Sequence, residues 1–568
     1  MINFNRIKIL IGNHQRLIFL MVLGVISSLL EAIGLGSIAS LIYALLNDIE
    51  IVKNKVSSYF ALSFVKDFSN TEFLNFIIIA IFSLFLIKNL FKIVTHYLEV
   101  KYFQKIYANA SATLFKNYIN LYLLKFVKMN FNSILNDITI ETKRATKYLS
   151  ELLSIFKNII LIVFLIFTLL LINWKITISS FMVISILIIV YNLLFRNKSE
   201  FYGKKNSEFQ KKQFKIALEP FQFFKFFATS KKKKKFFSTN FLDTLKIKNK
   251  FELKQAMLLK YPASYFELSF LTILLLISFI LYKSIDNINQ VISIIGVFSL
   301  FSLRMISSTN YIYNSYQVCK YHKNSLTNIE KKIDSLKISK KKKINSLSLN
   351  QIEFKNIFFK YPDSEEYIIK NFNLKLKKNK ILGIFGPTGC GKSTLLDIML
   401  GLIEPSKGQI LINNERINLF KSEIEDFFSY LPQKSYIFND TIRKNILLGD
   451  ENNKKNEIKI NNSLKKAEIS KFIKSLPKGL STICKDSGKN LSGGQAQRIS
   501  LARSLYLKHE ILIMDEATSA LDNVTEEKIF KNLKKDISQT IIFVSHNKKL
   551  LKYCDYFYDF KKKKFIKT

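Results

Sequence analysis

The sequence predicts a membrane α-helical bundle of six spans followed by an α/β P-loop domain. Three observations point there. Long apolar runs crowd the first 318 residues and are nearly absent afterwards. The loops between these runs alternate between short, weakly basic ones and long, strongly basic ones. From residue 351 onward, strand-like alternation leads into a glycine-rich turn that opens a helix.

The chain has 568 residues, room for two or more domains. Six segments are apolar enough to cross a bilayer: Leu17–Leu46, Phe73–Val94, Ile155–Ile172, Ile176–Phe195, Tyr265–Tyr282 and Val291–Ser307. A span needs roughly 20 mostly apolar residues, so the third borrows from its flanks. No cleavable signal peptide is expected. The run from Leu17 is too long for a signal's apolar core, and no small-residue cleavage site follows it.

Lys and Arg in the loops set the orientation. The short loops carry Lys53, Lys55 and Lys66, then Lys175, then Lys283. Between the fourth and fifth spans lie Arg196, Lys204, Lys205, Lys211, Lys212 and the run Lys231 to Lys235. Both termini are therefore expected in the cytoplasm. The long segments 95–154 and 196–264 exceed what a turn needs and read as helices continuing beyond the membrane. Their reversals are expected at Asn130–Asp137 and Glu219–Phe227, with Pro220 starting a short helix. The Lys231–Lys235 run is read as a solvated cytoplasmic surface. The domains expected are 1–318 for the bundle, 319–350 for a helix end and linker, and 351–568 for the P-loop domain.

Formal net charge is +43, from 86 Lys and Arg against 43 Asp and Glu. Nucleic-acid binding would account for such a charge. The lysines are scattered, however, and no Arg-and-aromatic recognition module stands out, so no nucleic-acid partner is expected. Lys, Ile, Asn and Phe are abundant together, which marks a compositional bias. Cys319, Cys390, Cys484 and Cys554 lack metal-ligand spacing and fall in segments placed at the cytoplasmic side, where free thiols are the default. No Cys precedes Cys319, which argues against a cysteine-protease domain ahead of the spans.

In the second half, Gln351–Lys355 alternates as a strand does. The apolar strand Ile381–Phe385 leads into Gly386-Pro387-Thr388-Gly389-Cys390-Gly391-Lys392-Ser393 and then Thr394 and an apolar helix. This is G-x-x-x-x-G-K-S in a strand–loop–helix setting. Glycines let backbone N–H groups close around phosphate oxygens, Lys392 neutralises them, Ser393 coordinates Mg²⁺, and the helix N-terminus adds its dipole. A second strand, Ile511–Met514, ends in Asp515 and Glu516. Asp515 would hold Mg²⁺ through water, and Glu516 would orient the attacking water. A third strand, Thr540–Val544, ends at Ser545 and His546, which suits a γ-phosphate contact.

Leu491-Ser492-Gly493-Gly494-Gln495 resembles the signature of the ABC ATPase family, and the order and spacing of the other motifs agree over about 352–560. The resemblance implies ATP and Mg²⁺ as cofactors. It implies Tyr361 as the aromatic that stacks on adenine and Gln433, in Leu431-Pro432-Gln433, as a Mg²⁺-reading, coupling glutamine. It makes Ser519-Ala520-Leu521-Asp522 the loop that crosses to a partner subunit, and His546 the switch histidine. Ser492 and the Gly493 and Gly494 amides begin a helix whose N-terminus can cap a γ-phosphate. The nucleotide-holding set is thus Tyr361, Gly386 to Thr394, Ser492 to Gln495 and Asp522. The catalytic set is Glu516, His546 and Gln433, and the metal set is Ser393, Gln433 and Asp515. Two departures stand out: Lys485-Asp486 replaces the usual Gly–acid pair, and Asn547 replaces an Arg common after the histidine.

Six spans followed by one such domain resemble the ABC exporter half-transporters over nearly the whole chain. In that family one chain's phosphate loop and another's signature build each ATP site. A homodimer, or a heterodimer with a related half, is therefore implied, in a bacterial inner membrane with the ATPase cytoplasmic. The bundle looks most like the lipid-linked oligosaccharide flippase of bacterial N-glycosylation, by Leu29-Leu30-Glu31-Ala32, Lys88 and the Arg304–Tyr316 stretch. That implies a lipid-linked saccharide as cargo; the alternative is a lipid A-like lipid or an amphiphilic small molecule or drug. Glu31, Lys88 and Arg304 are the substrate candidates. Ionisable groups in apolar spans usually face an interior or watered cavity, so Glu31 and Lys88 are expected to pair or to line a cavity together.

Overall fold

Apolar runs of this length leave only one regular way to satisfy the backbone in lipid, and they form helices. The computed structural model describes residues 14–46, 53, 68–195, 198–222, 224, 230–284, 288–336, 341–344, 347–424, 427–451, 453–485 and 488–567. The chain groups into two compact units: Met1–Leu121 with Phe126–Ile338, and Tyr122–Lys125 with Ser339–Thr568.

The first unit contains α1 (His14–Leu46), α2 (Asn70–Ile119), α3 (Thr142–Ile172), α4 (Trp174–Phe195), α5 (Lys198–Gln222), α6 (Lys231–Ser284) and α7 (Ile288–Ser335). Among the described residues, five stretches are long and apolar enough to cross a membrane: Gln15–Ile42, Asn70–Ile119, Phe131–Ile172, Lys231–Lys283 and Ile288–Ser335. The remaining expected span is the 22-residue helix α4. Large apolar side chains such as Ile79, Phe82, Leu171 and Phe279 point outward, at 60–74% exposure. A water-soluble bundle buries such residues; a lipid-facing one need not.

Local chemistry sets the helix ends. Ser69 caps α2 through a reciprocal capping box with Glu72. Between α3 and α4 the turn is Asn173 alone, whose Oδ1 accepts from the Ile176 N–H at 3.2 Å. At about 1.5 Å per residue, the 50 residues of α2 run about 75 Å, far beyond a bilayer core. Helix α2 is thus longer than the span it contains.

Two sequence expectations need correction. The first reversal lies at Asn120–Asn130, ahead of the expected Asn130–Asp137, and includes a short helix Leu123–Val127. The expected turn is instead a helical turn, Phe131–Asn136, running into a π-helical turn, Asp137–Glu141. Buried Asp137 accepts from the Tyr118 hydroxyl at 2.8 Å and pairs with Lys332, contacts that no local pattern discloses. Pro220 sits in the last turn of α5 rather than starting a helix. Part of the second expected reversal, residues 223 and 225–227, lies outside the described residues, as do Lys55, Lys66, Arg196 and Asp486. The stretch from Lys320 stays helical as far as Ser335.

α5 packs Phe201, Tyr202 and Phe209 around Phe251 of α6, whereas the face it turns to α7, Glu141 and Arg144 is polar. Ser199, Gly203, Asn206, Ser207 and Gln210 follow one helical stripe. Ser199 donates to the buried Gln317 at 2.6 Å, Asn206 to the Tyr321 hydroxyl, and Ser207 to Glu141 at 2.9 Å. Arg144 donates to Gln210 at 2.5 Å. Burial alone would raise the Glu141 carboxyl pKa. The Ser325 hydrogen bond, Arg144 and Ser207 outweigh it and hold that carboxyl below its ordinary range.

Gly203 is where this stripe meets the α7 backbone: a Cβ there would stand 2.1 Å from the Tyr321 carbonyl oxygen. Gly203→Ala is therefore expected to push α5 off α7 and to cost about 1–3 kcal/mol, the usual cost of overpacking. Thermal unfolding of the purified protein checks this. Gly36→Ala, in a helix with open space around the new methyl, serves as control and should not destabilise.

The second unit is built on a buried sheet. Its main strands are β1 (Gln351–Phe359), β2 (Ile369–Lys377), β3 (Ile381–Phe385), β4 (Lys407–Ile412), β5 (Phe428–Leu431), β6 (Ile511–Asp515), β7 (Thr540–Val544), β8 (Tyr556–Asp559) and β9 (Lys564–Lys567). One sheet has the order β9-β8-β3-β7-β6-β5, parallel except for β9. Every residue of β3 and β7 is buried, as a parallel sheet covered on both faces requires. A second, antiparallel sheet pairs β2, β1 and β4. The helices that matter below are α8 (Lys392–Met399), α9 (Gly493–Leu507) and α10 (Asn523–Lys535).

Candidate nucleotide site

In a parallel sheet, ligands bind beyond the carboxyl ends of the strands. Here β3, β7 and β6 lie side by side, so the segments following them meet at one edge. After β3 comes the loop Gly386–Gly391. Gly391 caps α8 at φ +103°, and a Cβ there would strike Ile368 at 2.8 Å, so only glycine fits both conformation and space. Gly389 also has positive φ (+82°) and faces open space. Lys392 is buried, and its Nζ donates to the Gly386 and Pro387 carbonyls, each at 2.9 Å. Its ammonium thus sits inside the loop. Ser393 is exposed at the start of α8. Tyr361 reaches this helix, its hydroxyl 3.1 Å from that of Thr394.

After β6 come Asp515 and Glu516. Glu516 adopts φ +46°, a left-handed conformation that costs a non-glycine residue energy and recurs at functional sites. Its N–H donates to the Val544 carbonyl at 3.2 Å. The turned side chain accepts from Gln433 Nε2 at 2.8 Å and lies 2.7 Å from His546 Nε2. Three residues from distant parts of the sequence therefore converge on one carboxylate. Burial, then the neighbouring Glu516 charge, raises the Asp515 carboxyl pKa. Burial and Asp515 push Asp397 up to about 6. The Tyr430 hydroxyl, 3.4 Å from Asp515 Oδ2, is raised by burial and the same charge.

The residues fit the groups expected of them. The open glycine loop, the enclosed ammonium and the N-terminus of α8 suit a polyphosphate. A hydroxyl, a carboxylate and an amide are hard oxygen donors that suit Mg²⁺, which normally completes its shell with water and phosphate oxygens.

No hydrogen bond joins Ser492–Gln495 to the loop Gly386–Gly391 among the described residues. Ser492 caps α9 by accepting from Gln495 N–H at 3.2 Å, while Gln495 Oε1 accepts from Ser492 N–H at 2.9 Å. Gln495, expected in the nucleotide set, is occupied as a cap. The Gly493 and Gly494 amides remain at the helix start, and Gly494 packs against Ala520 and Leu521. Gln497 accepts from the Ala520 N–H at 3.0 Å, tying α9 to the loop Ser519–Leu521. Asp522 caps α10 by accepting from Thr525 N–H at 2.9 Å. Asn547 takes a local role: it bonds Glu526 at 2.7 Å and accepts from Lys549 N–H.

Sequence reasoning missed Tyr430, Asp397 and Gln497. Tyr430 precedes Gln433 by three residues at the end of β5, a position that could have marked it. Asp397 and Gln497 lie inside helices, and only the fold discloses their partners.

Of the two expected arrangements for Glu31 and Lys88, the direct pair is not formed. Glu31 pairs with Arg304 at 2.7 Å and lies 4.0 Å from Lys92; no bridge from Glu31 to Lys88 is found among the described residues. The Lys88 ammonium instead lies 4.0 Å above the Phe85 ring. Lys92, one turn further along α2, reaches the carboxylate, and the guanidinium from α7 takes its other side.

Residues 369–519 match the ABC transporter family. Among curated relatives, an export ATP-binding/permease protein of Rickettsia prowazekii is 40% identical over 216 residues, 38% of this chain and 37% of that protein. The multidrug resistance-like ATP-binding protein MdlA of Buchnera aphidicola is 42% identical over 207 residues, 35% of this chain and 34% of that one. The chain thus matches little more than a third of these relatives' length. A solved bacterial Atm1-family ABC exporter with ATP bound superposes over 96% of this chain and 93% of its own, with a TM-score of 0.73 and 18% identity. The chain therefore has the fold of an ABC exporter, with a helical membrane bundle ahead of an ABC transporter ATPase domain.

Proposed function

We propose that the protein is an ATP-driven exporter in which hydrolysis at the second unit moves an amphiphile across a bacterial inner membrane. The observation that carries this reading is the convergence of Gln433 and His546 on Glu516 beside the phosphate loop. The loop and Lys392 bind the phosphates, and Tyr361 packs against the base. Ser393, Gln433 and Asp515 would hold Mg²⁺, which would supply charge neutralisation for the transferred phosphoryl group. Glu516 orients the attacking water, and His546 steadies that carboxylate. Phosphoryl transfer needs positioning and charge stabilisation more than covalent help, and these residues offer both.

Among the described residues, Ser492, Gly493 and Gly494 share no hydrogen bond with the phosphate loop, which supports a composite site completed by a second copy of the chain or a related half. The basic inner loops support a cytoplasmic position for both termini and the ATPase. The leading cargo is a lipid-linked saccharide, supported by the ionisable residues within apolar spans. A second reading is an amphiphilic drug, which the name of the Buchnera relative favours, or a lipid A-like lipid. The test is ATPase activity in nanodiscs across polyprenyl-linked glycans, lipid A-like lipids and drugs. Stimulation confined to one class identifies the cargo; a chain that hydrolyses no ATP in any disc refutes the reading.

A further inference from the structure

We propose that Tyr430 is a positioning residue for ATP hydrolysis: its hydroxyl aims Asp515, the acid that would hold Mg²⁺, while Gln433, three residues on, holds Glu516. The inference rests on the nucleotide-site reading above and adds the group that orients its metal-holding carboxylate.

Asp515 and Glu516 are adjacent in the chain, yet one donor cannot serve both. Side chains alternate across a strand, and Glu516 turns further through its left-handed φ of +46°. The segment Tyr430-Leu431-Pro432-Gln433 brings two donors. Its strand β5 runs parallel to β6, with Tyr430 opposite Ile513 and Leu431 opposite Met514. The two chains therefore leave the sheet side by side. The Tyr430 hydroxyl lies 3.4 Å from Asp515 Oδ2, and Gln433 Nε2 lies 2.8 Å from Glu516 Oε2. Pro432 stands between the donors with its φ fixed by the ring, which stiffens their spacing. A phenol keeps its proton at neutral pH, so toward a carboxylate it donates. With Oδ2 engaged, Oδ1 is left for the metal.

Repulsion gives this donor its task. Glu516 is the charged neighbour of Asp515, and Asp397 of α8 acts on the same Tyr430 hydroxyl as Asp515 does. Three acids thus crowd one corner of the site, where like charges drive each other apart. Lys392 also attracts Asp515, but its ammonium donates to the Gly386 and Pro387 carbonyls. Tyr430 is left as the hydrogen-bond donor to that carboxylate among the described residues. Packing does not explain the ring. Tyr430 is 41% exposed, between the buried Ser429 and Leu431, on the edge strand of its sheet. At 3.4 Å the contact is long for O–H···O, so the hydroxyl aims the carboxylate without clamping it, and its loss should have a moderate effect.

Tyr430→Phe removes the hydroxyl and keeps the ring. The full chain is reconstituted in nanodiscs, and binding of a non-hydrolysable ATP analogue is followed in EDTA and across a Mg²⁺ titration. Affinity in EDTA should stay within about twofold of wild type, while the half-saturating Mg²⁺ concentration should rise about three- to tenfold, the range for one modest hydrogen bond. Turnover should fall at limiting Mg²⁺ and largely recover as Mg²⁺ is raised. Glu516→Gln, which loses the group acting on water, should show no such recovery. With Mn²⁺ in place of Mg²⁺, the EPR line shape of the bound ion should differ between wild type and Tyr430→Phe. In an Asp515→Asn background, Tyr430→Phe should add no further shift, since the two act through one contact.

An unshifted Mg²⁺ midpoint would overturn the proposal, as would a shift that persists undiminished in the Asp515→Asn background. An equal loss of affinity in EDTA, or a lowered thermal midpoint without ligand, would show a merely structural ring and overturn it too. Wild-type binding that ignores Mg²⁺ would instead sink the metal-site reading on which the inference rests.

Discussion

Glu516→Gln is expected to cut ATP turnover by roughly two to four powers of ten, the range for a positioned acid–base group, while nucleotide binding persists. The carboxylate stands on a strained residue at φ +46°, between Gln433 and His546. A glutamine has nearly the same shape and keeps one oxygen to accept from Gln433. It cannot polarise water, and its amide would face His546 Nε2. Binding without turnover should leave the protein as a closed, ATP-loaded dimer, visible by size-exclusion chromatography with trapped nucleotide. Turnover within a few-fold of wild type would mean that another group orients the water.

Ser492→Arg should abolish hydrolysis and spare nucleotide binding by the same chain. Ser492 caps α9, and losing such a cap costs about 1 kcal/mol, too little to unfold the domain. The larger effect is placing a bulky cation where the Gly493 and Gly494 amides should meet another chain's γ-phosphate. Mixed dimers of this variant with Lys392→Ala then hold at most one complete site, and ATPase titrated against the mixing ratio reads that number. Purified monomers hydrolysing at the dimer's rate would refute the composite site.

The strand–loop–helix turn at Gly386–Ser393 was legible because its determinants sit in consecutive residues: glycines that must turn, a lysine that points inward, and a strand before them. The strands β3, β6 and β7 were equally legible, since four or five successive apolar residues ending in Gly, Asp-Glu or Ser-His have few other readings. The partner of Glu31 was not. Lys88 and Lys92 are one helical turn apart, and only the packing of α1, α2 and α7 decides which cation reaches the carboxylate. The first reversal was misplaced for a similar reason. Asn130–Asp137 is polar and reads as a turn, yet Asp137 is buried against Tyr118 and Lys332, groups distant in sequence. Asn547, which stands where the family often has Arg, closes a hydrogen-bonded link through Glu526 to Thr518, which the sequence did not disclose.

The polar stripe of α5 bears on how the first unit can rearrange. Had Ser199, Asn206, Ser207 and Gln210 been leucines, parting this face of α5 from its neighbours would wet apolar surface, with a large heat-capacity increase and a greasy face left bare. A seam of hydroxyls, amides, one carboxylate and one guanidinium trades each internal hydrogen bond for one to water, at a net cost of about 0.5–1.5 kcal/mol for a neutral pair and about 1.5–3 kcal/mol for the two that involve Glu141 and Arg144. It can therefore open and reclose repeatedly with little change in hydration heat capacity, and without baring a surface to which other proteins would stick.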